Sequence, residues 1–192
     1  MNYAAAILAG GEGSRFGADK AMADLGGKPM IAHVAKAFGG AVRIAVVGNA
    51  RAATLLAAAD LCDPADAVRG PLAGVLAGLE WAEALGAPWL VTAPCDAPLI
   101  PGNIAEQLIA AAEAAGVSAA FAATASGLHP LCAAWRPALA APLLDFFSRG
   151  VHPPVRELVP DAARVMFEDE EAFLNVNTPA DMARALARLA RG

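Results

Sequence analysis

Glycines and cations crowd the segment Leu8-Ala9-Gly10-Gly11-Glu12-Gly13-Ser14-Arg15-Phe16-Gly17-Ala18-Asp19-Lys20. Glycine lets backbone amides approach an anion closely and reach positive φ. Arg15 can fork onto phosphate oxygens, and Lys20 supplies a compact positive charge. The chemistry on offer is phosphate binding. No Gly-Lys-Ser/Thr closes the segment, so it is not a Walker A loop. The spacing of Gly11, Gly13 and Gly17 is not that of a dinucleotide fingerprint either. Taken alone, the segment reads equally as a glycine-rich turn carrying two solvated cations.

The elements around it must place those groups. Tyr3–Leu8 has the apolar run of a buried strand and stops at Gly10-Gly11. Helical patterns follow at Pro29–Phe38, Arg51–Ala59, Pro71–Leu85 and Ile104–Ala115, the last two ended by Gly86 and Gly116. Strands are predicted at Arg43–Val47 and Trp89–Ala93. Such alternation implies a mostly parallel sheet with helices on both faces. The second half is less regular: strands at Ala119–Thr124 and Leu131–Trp135 are broken at Ser126-Gly127, as in a hairpin. Helices are expected at Ala138–Phe147 and Val155–Val159, and a short strand at Arg164–Phe167. The last helix, Pro179–Ala190, has Pro179 in its first turn and a capping signal in Thr178 and Asp181. No repeat, linker or charge block divides the chain, so one domain is expected over residues 1–192.

The chain has 192 residues, 57% of them hydrophobic and 17% charged, and a net charge of −5. Disorder is excluded by that composition. So is a nucleic-acid binder relying on a broad basic surface. A local phosphate site needs only a few cations and amides, and stays open. The longest run without charge, Ala114–Trp135, is interrupted by Ser, Thr, Gly, Pro and His129, so no membrane span is expected. No Lys or Arg precedes the apolar stretch Ala4–Ala9, which argues against a secretory signal and for a cytoplasmic protein. Cys62, Cys95 and Cys132 are odd in number and lack zinc-ligand spacing. They read as reduced, mostly buried thiols. Cys95 has no His–acid arrangement beside it to make it a nucleophile.

The glycine-rich segment resembles the signature of nucleotidyltransferases, and most closely that of the molybdenum cofactor guanylyltransferases. Their pattern is Leu-Ala-Gly-Gly, then Ser, Arg-Met-Gly and Asp-Lys. Here Gly13 stands where Ser is usual and Phe16 where Met is usual, and neither change removes a charge. Further matches are Gly26-Gly27-Lys28-Pro29-Met30 with His33, Asn49, and Asp63 ahead of Gly70-Pro71-Leu72-Ala73-Gly74. Pro94-Cys95-Asp96-Ala97-Pro98, His129-Pro130-Leu131 and Asn175-Val176-Asn177-Thr178-Pro179 complete the set. The resemblance runs along nearly the whole chain.

It implies a three-layer α/β sandwich with a Rossmann-like, mainly parallel sheet. The implied reaction transfers GMP from GTP to Mo-molybdopterin, giving the guanine dinucleotide form and pyrophosphate. Leu8, Ala9, Gly10, Lys20, Asn49, Asp63 and Asp96 would contact GTP in the N-terminal half. Arg15, Lys20 and Asp96 would be catalytic, with Asp96 holding Mg²⁺. Asn175 and Asn177 fall on the molybdopterin side, in the C-terminal half. A monomer is expected, with proteins that deliver or accept the pterin as partners, and neither nucleic acid nor membrane.

Each residue also has a plainer reading. Asp96 follows a strand, where open α/β sheets place ligands and a hard oxygen suits Mg²⁺, yet it could cap the next turn. Asp63 could cap the loop before Pro64, and Asn49 could be a turn residue after Gly48. Asn175 and Asn177 alternate onto one side of an extended segment, to bind a ligand or to satisfy backbone ahead of the last helix. His33 reads as a packing or capping residue. Trp81, Trp89 and Trp135 read as core, and Arg184, Arg188 and Arg191 as a solvated helix face. Two other functions stay open. A CTP-using enzyme, acting on the same pterin or another phosphate, would typically show Leu-Ala-Ala-Gly and lack Gly-Pro-Leu-Ala-Gly. A non-catalytic nucleotide-binding module would be free to lose Asp96 or Lys20.

Overall fold

The computed structural model describes residues 1–10, 19–62, 70–151 and 154–191. Its strands are β1 (Ala4–Leu8), β2 (Arg43–Val47), β3 (Ala59–Leu61), β4 (Leu90–Pro94), β5 (Ala119–Thr124), β6 (Gly127–Trp135) and β7 (Ala163–Met166). They form one sheet in the order β3-β2-β1-β4-β6-β5-β7. The first four strands are mutually parallel. β6 is antiparallel to both its neighbours, and β7 is parallel to β5. The helices are α1 (Met30–Ala37), α2 (Ala50–Leu56), α3 (Pro71–Ala84), α4 (Ile104–Ala115), α5 (Ala140–Ser148), α6 (Val155–Leu158) and α7 (Pro179–Leu189). The expected mainly parallel α/β architecture is present.

Central strands buried on both faces explain the uninterrupted apolar runs. Along β1, Ala5 and Ile7 join a core with α1, α2 and α4. Ala4 and Ala6 face the other way, onto α3 and α5. Three layers result. The alanines of β1 let α3 lie close: a Cβ on Gly78 would stand 3.0 Å from Leu90 Cδ2 and 3.3 Å from Ala6 Cβ. A separate small cluster of Leu25, Met30, Val176 and Ala185 seats α7. None of the helices among the described residues is long and apolar enough to cross a membrane.

One expected element is corrected. The helix predicted over Arg51–Ala59 ends at Leu56, because Ala57 takes a left-handed conformation with φ 50°. Ala59–Leu61 then pairs with Ala45–Val47 as the edge strand β3. Tertiary pairing overrides the helix propensity of alanine here. Strand β6 also begins earlier than predicted, at Gly127. Its register with β5 jumps from Phe121↔Ala133 to Ala122↔His129. Pro130, which cannot donate to a ladder, lies inside that bulge.

Thr92 knits the antiparallel junction. Its hydroxyl donates to the carbonyl of Leu131 in the bulge at 2.8 Å and accepts from Trp135 Nε1 at 2.9 Å. Thr92 and Trp135 are fully buried. Thr92→Val keeps the shape but strands both partners, which costs about 1–3 kcal/mol. At this chain length Tm should fall by roughly 2–4 °C for each kcal/mol lost. A thermal melt with unchanged Tm would show that the hydroxyl contributes nothing.

Candidate functional site

The register places Leu8 between Val47 and Pro94, so β1, β2 and β4 end level with one another. β1 leads to β2 and β3 on one side, while β4 lies on its other side. That reversal of strand order is where open α/β sheets bind ligands. Main-chain bonds continue past the strand ends. Ala9 N–H donates to the Val47 carbonyl at 2.9 Å, and Cys95 N–H to that of Leu8 at 3.0 Å. Leu8, Ala9 and Gly10, Gly48 and Asn49, and Cys95 and Asp96 thus share one rim.

Asp96 sits on the turn after β4, and its carbonyl accepts from Val176 N–H at 2.8 Å. This bond brings the Asn175–Thr178 segment to the rim. Lys20 begins the 3₁₀ turn Lys20–Met22. Its ammonium donates to Asp96 Oδ2 at 2.7 Å and to Asn177 Oδ1 at 2.5 Å. The Lys20 and Asp96 side chains are only 16% and 22% exposed. Val176 is buried between Asn175 and Asn177, both exposed, so the predicted alternation is present. The Asn175 carbonyl lies 3.5 Å from Asn177 Nδ2.

Asn49 does two things. Its Oδ1 accepts from Ala52 N–H at 2.9 Å and caps α2, while its Nδ2 donates to Asp19 Oδ1 at 2.8 Å. Sequence reading missed Asp19, although it stands beside Lys20 and ahead of an asparagine with N-cap character. Arg15 and Asp63 lie outside the described residues.

Other side chains settle into supporting roles. His33 Nε2 is 2.8 Å from the Leu25 carbonyl, the packing role expected of it. His129 stacks on Phe173, with ring centroids 4.7 Å apart, and its Nε2 is 3.0 Å from Thr124 Oγ1. Burial lowers its pKa below the ordinary histidine value, against the opposing pull of Glu170. The arginines of α7 are not merely solvated, as the sequence suggested. Arg188 pairs with Asp169, and Arg191 lies 3.6 Å from Glu171. The acidic run Glu168-Asp169-Glu170-Glu171 was the available signal. The buried thiols cannot act as nucleophiles: burial, reinforced by the Asp96 carboxylate, pushes each of Cys95 and Cys132 up to about 12.

Level strand ends at the switch point of a three-layer α/β sandwich, with an ammonium and a partly buried carboxylate beside them, suit a phosphate-bearing ligand. Residues 5–163 match the MobA-like NTP transferase domain. A molybdenum cofactor guanylyltransferase of Cereibacter sphaeroides is 42% identical over 182 residues, covering 93% of each chain. One from Rhodobacter capsulatus is 36% identical, covering 98% of this chain and 97% of that one. The structure of molybdopterin-guanine dinucleotide biosynthesis protein A from Archaeoglobus fulgidus superposes with a TM-score of 0.74 at 25% identity, covering both chains fully. The chain belongs to the molybdenum cofactor guanylyltransferase family. A cytidylyltransferase from Thermus thermophilus, 2-C-methyl-D-erythritol 4-phosphate cytidylyltransferase, shares the fold with a TM-score of 0.71 at 18% identity.

Cys62 is exposed while Cys95 and Cys132 are buried. A thiol reagent at pH 8 should therefore modify one cysteine per chain promptly and the other two only on unfolding. Prompt reaction of all three would contradict the protonated, enclosed state of the two inner thiols.

Proposed function

We propose that this chain transfers GMP from GTP to Mo-molybdopterin in the cytoplasm, as a single domain over residues 1–192. The nucleotide would lie against the N-terminal half and the pterin against the C-terminal half. One observation carries this reading: the Lys20 ammonium joins Asp96, on the turn after β4, to Asn177, on the segment ahead of α7. Groups assigned by resemblance to the two substrates thus meet at one cation.

The donor set fits Mg²⁺. Asp96 offers a hard carboxylate oxygen at a half-open strand end, already attracting a cation in the form of Lys20. Mg²⁺ is usually held by one or two carboxylates together with water and substrate phosphates. When bound, it neutralises phosphate charge and orients the triphosphate. The remaining work belongs to this chain. Lys20 and, by its place in the signature, Arg15 stabilise charge growing on the pyrophosphate leaving group. Leu8, Ala9 and Gly10 offer main chain to the nucleotide, and Asp63 belongs with them by resemblance. Asn49 holds Asp19, and with it the start of the Lys20 turn. Asn175 and Asn177 face the acceptor.

A terminal phosphate oxygen of the pterin attacks the α-phosphorus of GTP. One P–O bond forms there as the bond to pyrophosphate breaks. That phosphate is largely ionised at neutral pH, its second pKa being about 6, so no strong base is needed. Catalysis consists of positioning and charge stabilisation. Proteins that deliver or take away the pterin are the natural partners of a monomer with this activity. Three free cysteines suit a reducing compartment.

Turnover with Mo-molybdopterin and each of the four NTPs tests the reading. GTP should be preferred at least tenfold, since each mispaired buried polar group costs about 1–3 kcal/mol. Preference for CTP would instead align the chain with the cytidylyltransferases that share its fold. Asp96→Asn should lower the rate by about 10²–10³, as loss of one preorganised electrostatic group does. It should also raise the Mg²⁺ requirement. Lys20→Ala should weaken both GTP binding and turnover. Near-normal kinetics in a folded Asp96→Asn protein would overturn the metal assignment.

A further inference from the structure

The bonds made by Lys20 carry a consequence beyond nucleotide binding. Its ammonium occupies Asp96 Oδ2 and Asn177 Oδ1 together, at 2.7 and 2.5 Å. The neighbouring carboxylate, Asp19, is turned to Asn49 Nδ2. Among the described residues, the ammonium is the one cation paired with Asp96. A divalent cation on that carboxylate would stand a few ångströms from the ammonium, and like charges so close in a half-buried site repel strongly. The two cations therefore compete. Lysine is suited to give way, as a point charge on a flexible four-carbon stem whose donors rotate. Phosphate oxygens offer it a destination of opposite charge.

We propose that Lys20 is an exchangeable counter-ion: it neutralises Asp96 and ties it to Asn177 in the nucleotide-free protein, and a nucleotide–cation complex displaces it. The ammonium moves onto phosphate oxygens, Asp96 is left to the divalent cation, and Asn177 Oδ1 is freed for the acceptor. Lys20 thereby becomes the link between the two half-sites. A bare divalent cation binds poorly, and the nucleotide complex binds before the acceptor finds Asn177 available. The proposal rests on Asp96 being the metal ligand.

The test is Mn²⁺ binding to the nucleotide-free full chain, read from the electron paramagnetic resonance signal of free Mn²⁺. The proteins compared are wild type, K20M and the double variant K20M/D96N, with folding checked by circular dichroism. K20M should bind Mn²⁺ at least tenfold more tightly than wild type, and the double variant should lose that gain. With the signal lost to a protein-free mixture of Mn²⁺ and GTP subtracted, added GTP should tighten Mn²⁺ binding to wild type, and no such gain would overturn displacement by the nucleotide complex. If K20M binds no more tightly than wild type while the double variant binds more weakly, Lys20 is not the counter-ion and Asp96 still holds the metal. If the double variant binds as tightly as K20M, Asp96 is not the ligand and the metal assignment falls with the proposal. Lys20→Gln keeps most of the stem without the charge, and serves the same comparison should K20M fail to fold.

Discussion

The ladder of β1 is the constraint on which the site depends. Hydrogen-bonded in parallel on both sides, it holds Leu8 level with Val47 and Pro94. A one-residue slip in either pairing would exchange the side chains β1 sends to α3 and α5 with those it sends to α1, α2 and α4. The same slip would carry Asp96 or Asn49 out of line with Leu8 and Ala9. Precision at the rim is therefore inherited from the most buried part of the molecule. Small side chains make this possible: Ala4, Ala5 and Ala6 accept helices on both faces, and Gly78 lets α3 settle against β1 and β4.

Charge is confined to the edge of this apolar frame. The buried polar side chains among the described residues are Thr92 and Thr124, both hydrogen-bonded. The thiols nearest the rim stay protonated. Among the described residues, the polar groups left at the strand-end rim are an ammonium, carboxylates and asparagine side chains.

Much of this was legible in the sequence, because buried parallel strands and amphipathic helices leave strong periodic traces. Tyr3–Leu8, Arg43–Val47 and Ile104–Ala115 are of this kind, and the Thr178–Asp181 capping box is a local signal that needs no tertiary context. β3 was not legible. It is three residues long, only partly buried, and follows an alanine-rich stretch that favours helix. Lys20, Asp96 and Asn49 were named from spacing and resemblance, but the bonds they make, Lys20 to Asp96 and Asn177 and Asn49 to Asp19, span 30 to 157 residues. No local pattern reports such a distance. Asn177 was left between ligand binding and backbone satisfaction. Its side chain takes Lys20 while its N–H goes to Asp181 at 3.1 Å, a partner that neither reading named.

The seating of α7 sets the molecule's internal hierarchy of motion. Ala185 is the buried residue of this helix, which otherwise leans on a handful of apolar side chains and on half-exposed ion pairs to Asp169 and Glu171. Exposed pairs of that kind contribute about 0–1 kcal/mol each and fade as salt screens them. Elements with few buried contacts open at a small fraction of the global unfolding free energy. The wall that carries Asn177 can thus swing or fray while the sheet beneath it stays closed. Ionic strength becomes a lever on how firmly this last helix is held against the sheet.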